Sequence, residues 1–286
     1  MHSAASVFAV FLARRRCRPV TLVALVAAIT LAVTAGCHSP GSPAVAARAR
    51  PSSASTPGPA QSPQAAQPGA ANPFAGKLPT FGPLPAPHPI ALPGGPIAPI
   101  YQRLPVDQPV AFLTMDDGQT QLAQAHELMQ AANIPFTMFL IAPVAGANPS
   151  FFQRLTASGG VIEDHTLTHR SLRGRPYEFQ RQEICGAKTS LEQTFGTTVR
   201  FFRPPYGNYD RNTLKAVHDC GLQAAFYWSE TVNNGKVRYQ TPLHRIQPGD
   251  IILMHFRPGF IKDVTAALRA IHDAGLTPAL LEDYLR

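Results

Sequence analysis

No aspartate or glutamate occurs in residues 1–100, whereas seven basic residues do: Arg14, Arg15, Arg16, Arg18, Arg48, Arg50 and Lys77. The formal net charge of +8 is therefore +7 from that segment and only +1 from everything after it. An isoelectric point near 9.6 would by itself raise nucleic acid or an anionic surface as a partner. Residues 101–286, however, carry no basic stripe and no recognition motif, so nucleic-acid binding is not expected. Long apolar runs are scarce too. The longest, residues 20–33, is short for a membrane-spanning helix, which needs about 20 apolar residues. Cysteine is limited to Cys17, Cys37, Cys185 and Cys220.

What is present at the start reads as an export signal over residues 1–36. Four arginines at positions 14–18 precede the apolar run, and small residues follow it up to Cys37. Thr34-Ala35-Gly36-Cys37 resembles a lipobox, with Thr in the place of the usual Leu or Val. The resemblance implies a diacylated Cys37 and a membrane held through an N-terminal lipid anchor; an uncleaved anchor and plain secretion are the alternatives. The twin arginine lacks the continuation of a Tat signal, so the export route stays open. If Cys17 leaves with the leader and Cys37 is lipidated, Cys185 and Cys220 remain as an even pair. In an oxidising compartment such a pair reads as a disulfide, against the alternative of two unrelated buried thiols.

Residues 38–100 hold 16 of the 29 prolines, spaced by Ser, Ala, Gln and Gly. Proline at this density removes backbone donors and stiffens the chain. Residues 37–100 therefore read as a disordered, semi-extended linker, although 74–99 is apolar enough to lie against a domain surface. From Val110 the texture changes. Strand-like runs at 110–114, 136–141, 161–163, 201–203, 224–227, 251–254 and 277–280 alternate with helical patterns at 121–132, 149–158, 177–195, 211–220 and 264–274. This alternation predicts an α/β domain over 101–286, with a parallel sheet covered by helices. Functional residues in such sheets gather at the C-terminal ends of the strands.

Polar clusters stand at those ends. They are Asp116-Asp117-Gly118, His165-Thr166-Leu167-Thr168-His169, Arg203-Pro204-Pro205-Tyr206-Gly207, and His255. Two histidines four apart share a face if the segment is a helical turn, and two imidazoles with a carboxylate suit a catalytic zinc with an open position. Each cluster alone has a bland reading: a surface His pair, a helix-capping Asp, a surface Arg. Their coincidence in one small domain is the argument. His38, His88, His126, His218, His244 and His272 lie in linker, helical or polar loop stretches without evident partners.

The ordered set Thr114-Met115-Asp116-Asp117-Gly118, His165-x-x-x-His169, Arg203-Pro204-Pro205-Tyr206-Gly207 and Leu253-Met254-His255 resembles the polysaccharide deacetylases of carbohydrate esterase family 4, the NodB-homology domain. The resemblance spans about residues 104–286. It implies a distorted, incompletely closed (β/α) barrel and hydrolysis of acetyl groups, chiefly N-acetyl, on chitin-like sugars, peptidoglycan or xylan. It further implies that Asp117, His165 and His169 bind a divalent metal, usually Zn²⁺. Asp116 would be the general base, oriented and kept ionised by Arg203. Tyr206 would offer its backbone N–H to the oxyanion, and His255 would protonate the leaving amine. Leu253 and Trp228 would line the substrate site.

The chemistry wants this inventory independently. Amide hydrolysis needs an activated water, for which zinc lowers the pKa to about 7. It also needs oxyanion donors, each worth roughly 10²–10³ in rate, and an acid for the amine. The chain departs from the family pattern in Tyr227-Trp228-Ser229-Glu230-Thr231, where an Asp that supports the acid His is usual. Glu230 is the candidate replacement. Asp164 stands before the first metal His, where Asn is frequent. The expected protein is an exported, monomeric, lipid-anchored or secreted deacetylase of an acetylated polysaccharide. Its rivals are a glycan-binding lipoprotein of weak or no activity and a hydrolase of another acyl or C–N bond.

Overall fold

The computed structural model describes residues 71–286. The export signal expected over 1–36, the lipidation site Cys37 and the linker up to residue 70 lie outside the described residues. In chain order the elements are β1 (Ile100–Tyr101), β2 (Val110–Asp117), α1 (Gln124–Ala132), β3 (Phe136–Leu140), α2 (Ala142–Ala147), α3 (Pro149–Thr156), β4 (Gly160–Asp164) and α4 (Tyr177–Phe195). There follow β5 (Phe201–Phe202), a 3₁₀ turn (Pro205–Gly207), α5 (Arg211–Asp219), β6 (Ala224–Phe226), β7 (Glu230–Asn233) and β8 (Lys236–Tyr239). The chain ends with β9 (Ile251–His255), α6 (Phe260–Asp273), β10 (Thr277–Ala279) and α7 (Leu281–Tyr284).

The strands lie in the order β1-β6-β5-β4-β3-β2-β9-β7-β8, with β10 beside β2. Every pairing is parallel except the β7–β8 hairpin. The end strands β1 and β8 do not meet, so the sheet curls into an open, incompletely closed barrel.

Because side chains alternate along a strand, β2 serves two layers at once. Val110 and Phe112 point into the barrel, where they join Phe139, Phe201, Phe226, Ile251 and Tyr284. Ala111, Leu113 and Met115 point outward and join Met138, Ile252 and Met254 beneath the helices. All eight residues of β2 are buried, which explains a continuous apolar run rather than an alternating one. Each fully buried Phe or Leu contributes roughly 1.5–3 kcal/mol. The same alternation carries Asp116 inward at the upper end of β2.

Helix ends follow local chemistry. Asp210 caps α5 by accepting from Thr213 N–H, and the Thr213 hydroxyl accepts in return from Asp210 N–H. Gly196 ends α4 in the left-handed conformation at φ 63°. Cys185 of α4 and Cys220 at the end of α5 are joined in a disulfide, with Cα atoms 5.1 Å apart.

The sequence left residues 74–99 open between disordered linker and an apolar stretch against the domain surface, and did not settle that residues 71–99 lie along the domain, as they do. Asn72 donates to the Glu127 carbonyl, Phe74, Leu78 and Phe81 pack on the outer core, and Ile90 bridges to Leu285. Proline forbids a ladder but not apolar contact, and this stretch needs only isolated hydrogen bonds. The β7–β8 hairpin was not anticipated either. It turns at Asn234-Gly235, both at positive φ (52° and 73°), the pair that a two-residue hairpin turn favours.

Candidate active site

The four clusters converge above the apolar barrel interior. Asp116 is paired across β2–β9 with His255, and β4 delivers His165 directly after Asp164. The segment after β4 is not a helical turn, the condition under which two histidines four apart would share a helix face. It is an irregular bend in which Thr166 and His169 take positive φ (73° and 55°). Asp117 (78°) and Tyr206 (59°) share that conformation. Four non-glycine residues at positive φ around one site are costly, of order 1–3 kcal/mol each, and such strain gathers where function holds it in place. Local bonds support the bend: Thr166 N–H donates to Asp164 Oδ1, and His169 N–H donates to Thr166 Oγ1.

Asp117, His165 and His169 place one potential ligand atom each within 4.8 Å of the others. Asp117 Oδ1 lies 3.2 Å from His169 Nε2 and 3.6 Å from His165 Nε2. That oxygen is buried without a satisfied hydrogen bond. A buried, unsatisfied carboxylate oxygen between two imidazole nitrogens is what a cation would satisfy. His165 Nδ1 meets the Arg203 carbonyl at 2.7 Å, so Nδ1 carries the proton and Nε2 is left as a lone-pair donor. Burial pushes the His165 pKa down to about 3, keeping the ring neutral as a ligand must be. Burial raises the Asp117 pKa, but the His169 contact and the neighbouring histidines outweigh it and leave it below the ordinary value. The donor set therefore fits a divalent metal.

Beside it stands the Asp116–Arg203 pair. Arg203 is wholly buried; its Nη1 donates to Asp116 Oδ1 (2.7 Å) and Thr114 Oγ1 (2.8 Å), and its Nη2 to the Tyr227 carbonyl (3.1 Å). Its guanidinium lies 4.3 Å above the Phe139 ring. Asp116 Oδ2 faces His165 Nε2 at 3.7 Å, on the side of the candidate metal group. Burial raises the Asp116 pKa, while Arg203 and then His255 oppose the rise. His255 is half-buried, and burial lowers its pKa against the pull of Asp116.

The remaining expected residues also line this end of the barrel. Leu253 is 3% exposed yet belongs to neither apolar cluster. Trp228 packs on the inner cluster with its Nε1 buried and unpartnered. Tyr206 is 64% exposed, and its ring centroid lies 4.7 Å from that of His169. Glu230 does not replace the missing family Asp. It pairs in register with Ile252, well below His255, and lies against Asp250 with no donor to either oxygen. No carboxylate from β7 supports His255; those whose charge it feels are Asp116 and Asp117. Sequence order alone suggested Glu230, and the strand register decided otherwise.

Residues 103–225 match the polysaccharide deacetylase family model. An uncharacterized protein of Streptomyces coelicolor is 38% identical over 194 residues, spanning 66% of this chain and 78% of its own. The chain belongs to the polysaccharide deacetylase family. Family members are hydrolases of carbon–nitrogen bonds other than peptide bonds. A chitooligosaccharide deacetylase of Sinorhizobium fredii is 25% identical over 189 residues, covering 58% of this chain and 87% of that one. A family 4 carbohydrate esterase pseudoenzyme from Bacillus anthracis superposes with a TM-score of 0.55 at 16% identity, over 65% of this chain and 70% of that one. That likeness shows the fold alone. Because a pseudoenzyme shares the deacetylase barrel, activity has to be argued from side chains. His255 lies beyond the matched stretch, so its place in the site rests on the β2–β9 register.

Proposed function

We propose that this chain is an exported, metal-dependent deacetylase that removes N-acetyl groups from a polysaccharide of the cell-wall or chitin-like class, with Zn²⁺ as its metal. The observation that carries the reading is Asp116, held at one oxygen by a buried arginine while its other oxygen faces the Asp117–His165–His169 group. A divalent ion on those three ligands would polarise the acetyl carbonyl and lower the pKa of the attacking water.

The chain's own residues do the rest. Asp116 Oδ2 takes a proton from the attacking water, and Arg203 keeps that carboxylate oriented and ionised. The Tyr206 backbone N–H binds the developing oxyanion. Leu253 closes the pocket around the acetyl methyl, and Trp228 borders it. His255 gives a proton to the departing nitrogen, without which an amide anion would have to leave. Residues 1–36 direct export, Cys37 carries the lipid anchor, and the chain between Cys37 and the domain tethers a monomeric domain to the membrane.

The test is acetate release from chitooligosaccharides, peptidoglycan and acetylated xylan by metal-loaded protein. Chelation should abolish release and Zn²⁺ should restore it. Failure to release acetate from all three would sink the reading. Anchoring is tested separately: Cys37→Ser should free the protein from membranes, and a variant still carrying labelled lipid would refute the lipobox.

A further inference from the structure

His165 and His169 are held in place by different means. Nδ1 of His165 is fixed by the Arg203 carbonyl at 2.7 Å. Among the described residues no hydrogen bond reaches Nδ1 of His169, whose Nε2 faces Asp117. A ligating histidine ring is normally steered through its second nitrogen. The direction of His169 therefore rests on its backbone, which the irregular bend holds at φ 55°.

Among the described residues, one backbone hydrogen bond ties residues 167–169 to another element: Thr168 N–H donates to Glu183 Oε2 of α4 at 2.8 Å. The Thr168 hydroxyl donates to Oε1 of the same carboxylate at 2.7 Å. Glu183 is 5% exposed and lies on the buried face of α4 with Ile184, Ala187 and Leu191. A carboxylate there is costly unless its oxygens are met, and Thr168 donates both of the hydrogen bonds it accepts. The helix fits the bend at a second point. Leu167 lies on Gly186, where a Cβ would come within 2.7 Å of its Cδ1. Helix α4 is itself fixed, because Cys185 is bonded to Cys220 and Gln180 donates to Asp210 at the start of α5.

We propose that Glu183 is a positioning residue for the metal: through Thr168 it fixes the backbone that aims His169 at the site shared with Asp117 and His165. Glu183 touches neither metal nor substrate. The proposal rests on the metal-dependent reading and deepens it, and its test needs no turnover.

The test measures the affinity of metal-free protein for Zn²⁺ and Co²⁺ by competition with a chelator. Glu183→Ala should lower that affinity roughly 10–100-fold, the range found when a group supporting a ligand is lost, and should alter the visible absorption of the Co²⁺ form. Glutamine can still accept from Thr168 N–H through its oxygen and donate to the Thr168 hydroxyl through its nitrogen. Glu183→Gln should therefore restore both affinity and spectrum. Leu191→Ala, about two turns further along the same buried face, should lower the melting temperature without moving either. If Glu183→Ala does not fold, Thr168→Val removes the hydroxyl bond from the exposed side of the contact and should also weaken binding; parent affinity there would overturn the proposal. So would parent affinity in Glu183→Ala, no rescue by Glu183→Gln, or an equal loss in Leu191→Ala, each leaving the deacetylase reading intact. The expected losses and rescue in a protein that releases no acetate would uphold the positioning role and refute the deacetylase. A parent that binds neither ion saturably refutes both.

Discussion

Two buried carboxylate–arginine groupings flank β9, and they are built differently. In the first, Asp116 has one arginine, itself wholly buried and held by Thr114 and the Tyr227 carbonyl. Its second oxygen points at the candidate metal-ligand group. In the second, two carboxylates share one arginine. Arg103, 39% exposed, pairs with Asp250, which also accepts from Gln247 N–H, while Glu230 has no donor at all. Both groupings are desolvated acids in the same sheet. Burial therefore does not distinguish a candidate catalytic carboxylate from a structural one. What distinguishes Asp116 is a free oxygen held in a fixed direction toward other reactive groups.

The largest effect that could break this contrast concerns turnover. Asp116→Asn should lower kcat by roughly 10²–10⁴ while metal content, measured on the purified protein, stays at the parent level, because it removes a base and not a ligand. His165→Ala should lose both metal and activity. Near-normal kcat in Asp116→Asn would place Asp116 with the structural acids.

Next come the two arginines. Arg203→Met removes the cation hydrogen-bonded to the buried Asp116 carboxylate, which costs about 3–5 kcal/mol when a buried pair is broken. Arg103→Met should cost less, since water reaches Arg103 and Asp250 keeps the Gln247 N–H. Urea unfolding of the two variants gives the order, and a reversed order would mean the Asp116 pair is not the better desolvated of the two.

The smallest effect is a slope. Burial, and then Asp250, push the Glu230 pKa up to about 8 from an ordinary 4.5. Between those values the folded protein holds a proton that the unfolded chain has released, so stability should fall as pH rises across that window and level off above it. Glu230→Gln should flatten the thermal-melting slope there. It should also leave the pH–rate profile of deacetylation unmoved, because Glu230 does not reach His255. A shifted alkaline limb in that variant would restore the link between Glu230 and the acid.

Much of the fold was legible because β/α alternation imprints two different hydrophobic periods on the sequence. The run at 110–114 became the start of β2, and helix α4 spans the residues its pattern marked out, 177–195. The hairpin at 230–239 escaped notice because its strands are short and half exposed, although Asn234-Gly235 carried its turn signal. Whether the segment 71–99 wraps the domain stayed undecided because composition reports what a proline-rich chain cannot form, not what surface awaits it. The bend at 165–169 stayed open because histidine spacing alone does not specify φ, and Thr166 is held at positive φ by bonds and packing made after folding.

The sequence by itself determined which residue types stand at the strand ends, because buried apolar runs mark the strands and the polar motifs follow them; the resemblance of those ordered motifs then implied the family and the candidate ligands. Only the tertiary structure decided how those residues face one another. It assigned Asp116 its arginine and its free oxygen, turned Glu230 toward Asp250, and set Glu183 of α4 against Thr168. Those outcomes depend on strand register, sheet curl and helix packing, which bring together residues such as Thr114 and Arg203 that no local pattern connects.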